Sequence, residues 1–93
     1  MANTQKDCVV KRRGHQEKYN SMKVYASCYA AALNCHYTEK KSEAIADNVT
    51  KKVNAWIKKG KSCVDSTEIK RQVIKNLQDK DVALMYKHYL DLS

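Results

Sequence analysis

Hydrophobic residues return at helical spacing along most of this chain. Between Glu39 and Lys59, the positions Ile45, Ala46, Val49, Val53, Trp56 and Ile57 recur every three or four residues. That spacing predicts a long amphipathic helix. Thr38 can cap its start, Glu39 suits the positive end of its dipole, Lys58 and Lys59 suit the negative end, and Gly60 follows as a stop. Before it, Val24, Cys28, Ala31 or Ala32, and Cys35 predict a helix over about Ser21–Asn34, with Asn20 or Ser21 as cap. Its alanines (Ala26, Ala30, Ala31, Ala32) would let another backbone come close, which predicts a central position. After it, Ile69, Val73, Ile74 and Leu77 predict a helix over about Ser66–Gln78, entered through Asp65 and Glu68 or through Ser66. Val82, Met85 or Tyr86, Tyr89 and Leu90 predict a last helix over about Asp81–Leu90.

One stretch breaks this rhythm. Val9–Asn20 reads as a β-hairpin with arms Cys8–Lys11 and Gln16–Tyr19 turning about Gly14, one of only two glycines. Lys61–Val64 can add a third strand. The expectation is therefore an α+β fold: a four-helix bundle capped by a small three-stranded mixed sheet with an N-terminal β-hairpin. At 93 residues the chain is one domain, residues 1–93, with a structured core from about 9 to 93 and the first seven residues frayed.

Composition narrows the function classes. A formal net charge of +8 points to anionic company, namely nucleotide, nucleic acid, phosphate or an acidic protein. The lysine pairs 40/41, 51/52 and 58/59 recur on one face of the long helix. They read as a solvated face, with docking of nucleic acid or an acidic partner as the sharper alternative. No apolar run approaches the roughly 18–20 residues that span a bilayer. MANTQKDC lacks a hydrophobic signal core, so a cytoplasmic protein without membrane contact is expected.

Candidate chemistry is sparse. Cys8, Cys28, Cys35 and Cys63 form no CxxC pair, which argues against a zinc ribbon or dithiol redox centre and for buried structural thiols, with redox sensing or a metal site at Cys35 and His36 as the minor alternatives. His15, His36 and His88 each stand alone, and no GxxxxGK[ST] or GxGxxG loop is present. No catalytic residues or metal ligands are assigned, and the chain reads as a non-enzyme. Phosphate binding without hydrolysis is better supported, because Lys11, Arg12 and Arg13 beside Gly14 supply cationic donors and a backbone bend. Strand alternation alone would pair Lys11 with Arg13.

The order of these motifs resembles the ATP-cone domain, found in ribonucleotide reductases and in the repressor of their genes. The likeness runs from V-x-K-R-x-G at Val9–Gly14, through Glu17-Lys-Tyr-Asn20 and Lys23, to Asp65-Ser-Thr-Glu-Ile69 and Tyr86–Ser93. It implies an allosteric module for ATP or dATP, with nucleotide held between sheet and helices. Val9 or Val10 and the main chain near Lys11 would touch base or sugar. Lys11 and Arg12 would meet the phosphates, a different pairing from the one alternation gives. Glu17 and Asn20 would read the adenine and sugar region, Lys23 would reach the phosphates, and Ser66 would sit near the base. Where the family often has histidine after the third-helix isoleucine, this chain has Lys70, a further phosphate partner. Mg2+ is compatible with the phosphates.

The resemblance also implies a regulated target: a ribonucleotide reductase or transcriptional regulator supplied separately, or another copy in a homo-oligomer. The alternatives are a degenerate cone acting in protein interaction or oligomerisation, and a basic nucleic-acid-binding domain. Nucleic acid ranks last, because no helix-turn-helix or RNA-binding pattern accompanies the charge.

Overall fold

The computed structural model describes residues 8–10, 16–60 and 63–92. Helices make up 76% of them. They are α1 (Ser21–Asn34), α2 (Glu39–Lys59), α3 (Ser66–Asn76) and α4 (Lys80–Leu92). α1 and α2 pack against each other most extensively, α4 lies along α1, and α3 lies along α2. Small side chains permit that closeness: Cys28, Ala31 and Ala32 on α1 and Ser42 and Ala46 on α2 are fully enclosed. Val49, Val53 and Ile57 continue the buried stripe of α2, and Val73, Leu77, Val82 and Tyr86 close the same core from α3 and α4. None of the helices formed by the described residues is long and apolar enough to cross a membrane.

Side-chain caps set where the helices begin. Asn20 Oδ1 accepts from the Met22 amide at 2.9 Å, Thr38 Oγ1 from Lys41 at 3.1 Å, and Asp65 Oδ1 from Thr67 at 2.9 Å. Each satisfies an amide that the first helical turn leaves unpaired. Asp79 does the same for α4, accepting from Asp81 at 2.9 Å and Val82 at 3.2 Å. α3 stops at Asn76, short of the expected Gln78, because Leu77 leaves helical geometry while its amide still reaches Val73 and Ile74. α1 ends when His36 turns left-handed at φ 68°, which lets the Tyr37 amide return to the Ala32 carbonyl. Gly60 caps α2 with φ −72°, so its freedom to turn left-handed is unused there.

The α+β expectation, with a three-stranded sheet capping a four-helix bundle, is corrected: the protein is mostly helical, and its extended segments are too short to make a layer. β1 (Cys8–Val10) and β2 (Gln16–Lys18) have three residues each, and β3 (Val64–Asp65) has two. β1 pairs antiparallel with β2 from Cys8↔Lys18 to Val10↔Gln16, and parallel with β3 at Val9↔Val64 and Val10↔Asp65. Ordinary strands run about five or six residues. The reason for the brevity is visible at Asp65, which ends β3 and caps α3 at once, so pairing stops as soon as it starts. Lys61 of the expected third strand lies outside the described residues. So does the expected turn with Lys11, Arg12, Arg13, Gly14 and His15.

The α1–α2 connection is tied to α4 by the Tyr37 hydroxyl, which donates to Asp79 Oδ2. This bond pushes the Tyr37 hydroxyl up to about 12, aided by burial, and holds the Asp79 carboxyl below its ordinary value. Both shifts favour the folded state between the two titrations. The unfolded chain takes up a proton near pH 3.8 before folded Asp79 does, so stability falls on acidification below that point. It loses the tyrosine proton near pH 10 before the folded chain does, so stability falls again as pH rises from 10 toward 12. Tyr37→Phe should flatten the alkaline limb of a urea-unfolding series across pH. Separately, His36→Gly should raise stability by up to about 1 kcal/mol in the same assay, since a side chain at positive φ carries a steric cost that glycine avoids.

Candidate functional site

Where the strand pairs meet the helices, the chain encloses a cavity of about 170 Å³. Its strand wall is the buried Val9 of β1 with Glu17 and Lys18 of β2. The link Tyr19-Asn20 leads to Lys23, Val24 and Ser27 on α1, and the opposite wall is Ser66, Ile69 and Lys70 on α3. Tyr86 of α4 contributes a buried ring. The interior is mainly apolar and the charged groups are at its edge: Lys18, Lys23 and Lys70 are exposed.

Three interactions fix the side of the cavity where β2 runs into α1. The Tyr19 hydroxyl donates to Asn54 Oδ1 at 2.7 Å, which pins the β2–α1 link to the last third of α2. Asn20 uses its side-chain oxygen to cap α1, and the opposite end of that amide makes no hydrogen bond among the described residues. Glu17 lies 3.6 Å from the Lys23 Nζ, an ion pair whose lysine is 67% exposed and is held only loosely. The two helices that flank the cavity, α1 and α3, both present their first turns to it, through Asn20 and Lys23 and through Ser66 and Lys70. A helix start carries unpaired amides and the positive end of the dipole, so two of them beside three lysines make an environment for an anion.

Six of the residues singled out in the sequence therefore border one cavity: Val9, Glu17, Asn20, Lys23, Ser66 and Lys70. Val10 contributes backbone to β1 between Gln16 and Asp65. Lys11 and Arg12 lie outside the described residues. Sequence reading missed Lys18, Tyr19, Val24, Ser27, Ile69 and Tyr86 as cavity residues. Val24 and Ile69 were legible only as core positions, and periodicity left Met85 and Tyr86 as equal choices for the inner face of α4.

Tyr86 has a feature of its own. Its side chain is only 5% exposed, and its hydroxyl has no hydrogen-bond partner among the described residues. Burial pushes the hydroxyl well above the ordinary tyrosine value, so it stays protonated and able to donate. Buried tyrosine hydroxyls usually find a partner, and one bordering a cavity can find it in a ligand or water there. Elsewhere, Cys28 is a free thiol pushed up to about 12 by burial and is inert as a nucleophile. His36 and His88 are exposed and apart from the cavity. The described residues form no cluster of histidine, cysteine and carboxylate side chains fit to hold a metal.

Comparison with known proteins gives one family. The chain matches the ATP cone domain over residues 7–93. No curated protein matches it.

Removing the Tyr86 hydroxyl while keeping the ring should cost the unliganded protein little. Tyr86→Phe is expected to leave the urea-unfolding free energy unchanged within about 0.5 kcal/mol, or to raise it, because no internal hydrogen bond is lost.

Proposed function

Because the chain belongs to the ATP-cone family, whose domains are non-catalytic nucleotide-binding regulatory modules, we propose that its cavity binds ATP or dATP and reports occupancy to a partner. The observation that carries this reading is the meeting of an apolar slot, two helix starts and three lysines at one place. Pockets that enclose a drug-sized ligand run about 300–1,000 Å³. At about 170 Å³ this one suits a planar base, with sugar and phosphates running out along the rim.

In this assignment the base slides between Val9, Val24 and Ile69, with Ser66 and the free end of the Asn20 amide as polar contacts. Val10 supplies backbone, and Glu17 stands toward the sugar. Lys23 leaves its weak pairing with Glu17 to meet the phosphates, joined by Lys70 and by Lys11 and Arg12 of the basic motif. Tyr86 donates its unpaired hydroxyl to the ligand. Mg2+, where it takes part, would be held mainly by phosphate oxygens, since the described residues supply no metal cluster. What the module regulates is a separate chain, a second copy or a further domain, by a change of association on binding.

Calorimetric titration with ATP, dATP and GTP tests the reading, and adenine nucleotides should bind in preference to GTP. Lys23→Ala and Lys70→Ala should each weaken ATP by about fivefold to tenfold, in keeping with charged hydrogen bonds at an exposed rim. Lys11→Ala and Arg12→Ala should weaken it likewise. Flat titrations at millimolar nucleotide would remove the proposal.

A further inference from the structure

Cys63 is held in a disulfide, while Cys28 and Cys35 are free thiols. The expectation of buried structural thiols therefore fails at Cys63, which is only half-buried. Its position matters. Cys63 immediately precedes β3, whose two residues pair with the cavity strand β1 at Val9↔Val64 and Val10↔Asp65. Three residues after Cys63, α3 begins at Ser66, and Ser66, Ile69 and Lys70 form one wall of the cavity. Val9, directly across from Val64, forms part of another. The parallel register sets the backbone of Cys8 one step before Val9, as Cys63 stands one step before Val64.

We propose that the disulfide at Cys63 is a redox clasp on the nucleotide cavity, tightening it when oxidised and loosening it when reduced; this rests on the nucleotide reading above. A parallel pairing of two residue pairs holds weakly by itself, and a covalent tie at its edge restricts the ways it can come apart. Reduction is a two-electron exchange with a thiol reductant. A thiolate attacks one sulfur of the Cys63 disulfide, the S–S bond breaks, and the departing sulfur takes a proton. A second thiolate then resolves the mixed disulfide, leaving two protein thiols and one oxidised reductant disulfide. With the tie gone, β3 can leave β1 and carry the α3 wall with it. Only the fraction of molecules with both walls in place then binds. The other cysteines do not compete for this role, since Cys28 is enclosed and Cys35 lies at the far end of α1.

The test compares ATP titrations of the air-oxidised protein, the same protein in excess dithiothreitol, and Cys63→Ser. A Cys35→Ser protein, oxidised and reduced, controls for unrelated thiol chemistry. Amide hydrogen exchange at Val64 is followed in both redox forms without nucleotide. Non-reducing peptide mapping of the oxidised protein should recover a crosslinked peptide containing Cys63. The expected result is a Kd about tenfold higher on reduction or in Cys63→Ser, faster exchange at Val64, and no effect of Cys35→Ser. Equal affinity in the oxidised and reduced forms overturns the clasp and leaves nucleotide binding intact. An absence of binding in both forms overturns the nucleotide reading together with the clasp. Lack of the Cys63 crosslink in the mapped protein overturns the clasp alone.

Discussion

The close approach of α1 and α2 is the constraint on which the rest of this protein depends. Alanine, serine and cysteine fill their interface, and several of those side chains have no exposed surface at all. Two helices that must lie this near each other need a tight connection, and the turn between them supplies it at His36. The same connection is bound to the start of α4 through Tyr37 and Asp79. At the opposite end of the pair, Tyr19 reaches across to Asn54 and fixes where α1 begins. The cavity lies at that end, so its shape follows from how the first two helices pack.

The cavity's character follows from what lies at the helix ends. Helix interiors have their backbone groups paired, while helix starts leave amides seeking acceptors. α1 and α3 both begin beside the same apolar slot, and the side chains that cap them are short and polar. Lysines at the edge keep their charge in water and close enough to add to the dipoles. A ligand with a flat apolar part and a charged tail satisfies both halves of such a place, and a nucleotide has that form.

The helices were legible in the sequence because burial of one face imposes a three-to-four residue rhythm, clearest at Ile45–Ile57 in α2. The caps were legible because Thr38, Asp65 and Asn20 have side chains of the length that reaches a first-turn amide. Strand content was overread: Val9 and Val10 have strand character, but nothing in the composition reveals that the paired segments would be only two or three residues long. Cavity residues such as Glu17, Asn20, Lys23, Ser66 and Lys70 could be named in advance only through the resemblance to the ATP-cone domain, since spacing and charge alone do not bring them to one place. Tyr86 could not, since its inward direction depends on how α4 rotates against α1. The disulfide at Cys63 escaped as well, because the spacing of the cysteines does not tell which of them the fold oxidises.

Asp65 joins two elements with no spacer, ending a strand through its backbone and starting a helix through its carboxylate. Any tilt of α3 must therefore be passed straight to the β1 pairing, as a rigid crank turns its shaft. Slack at that junction, of the kind an inserted glycine would give, would let each element move alone and leave a bound molecule with nothing to pull against.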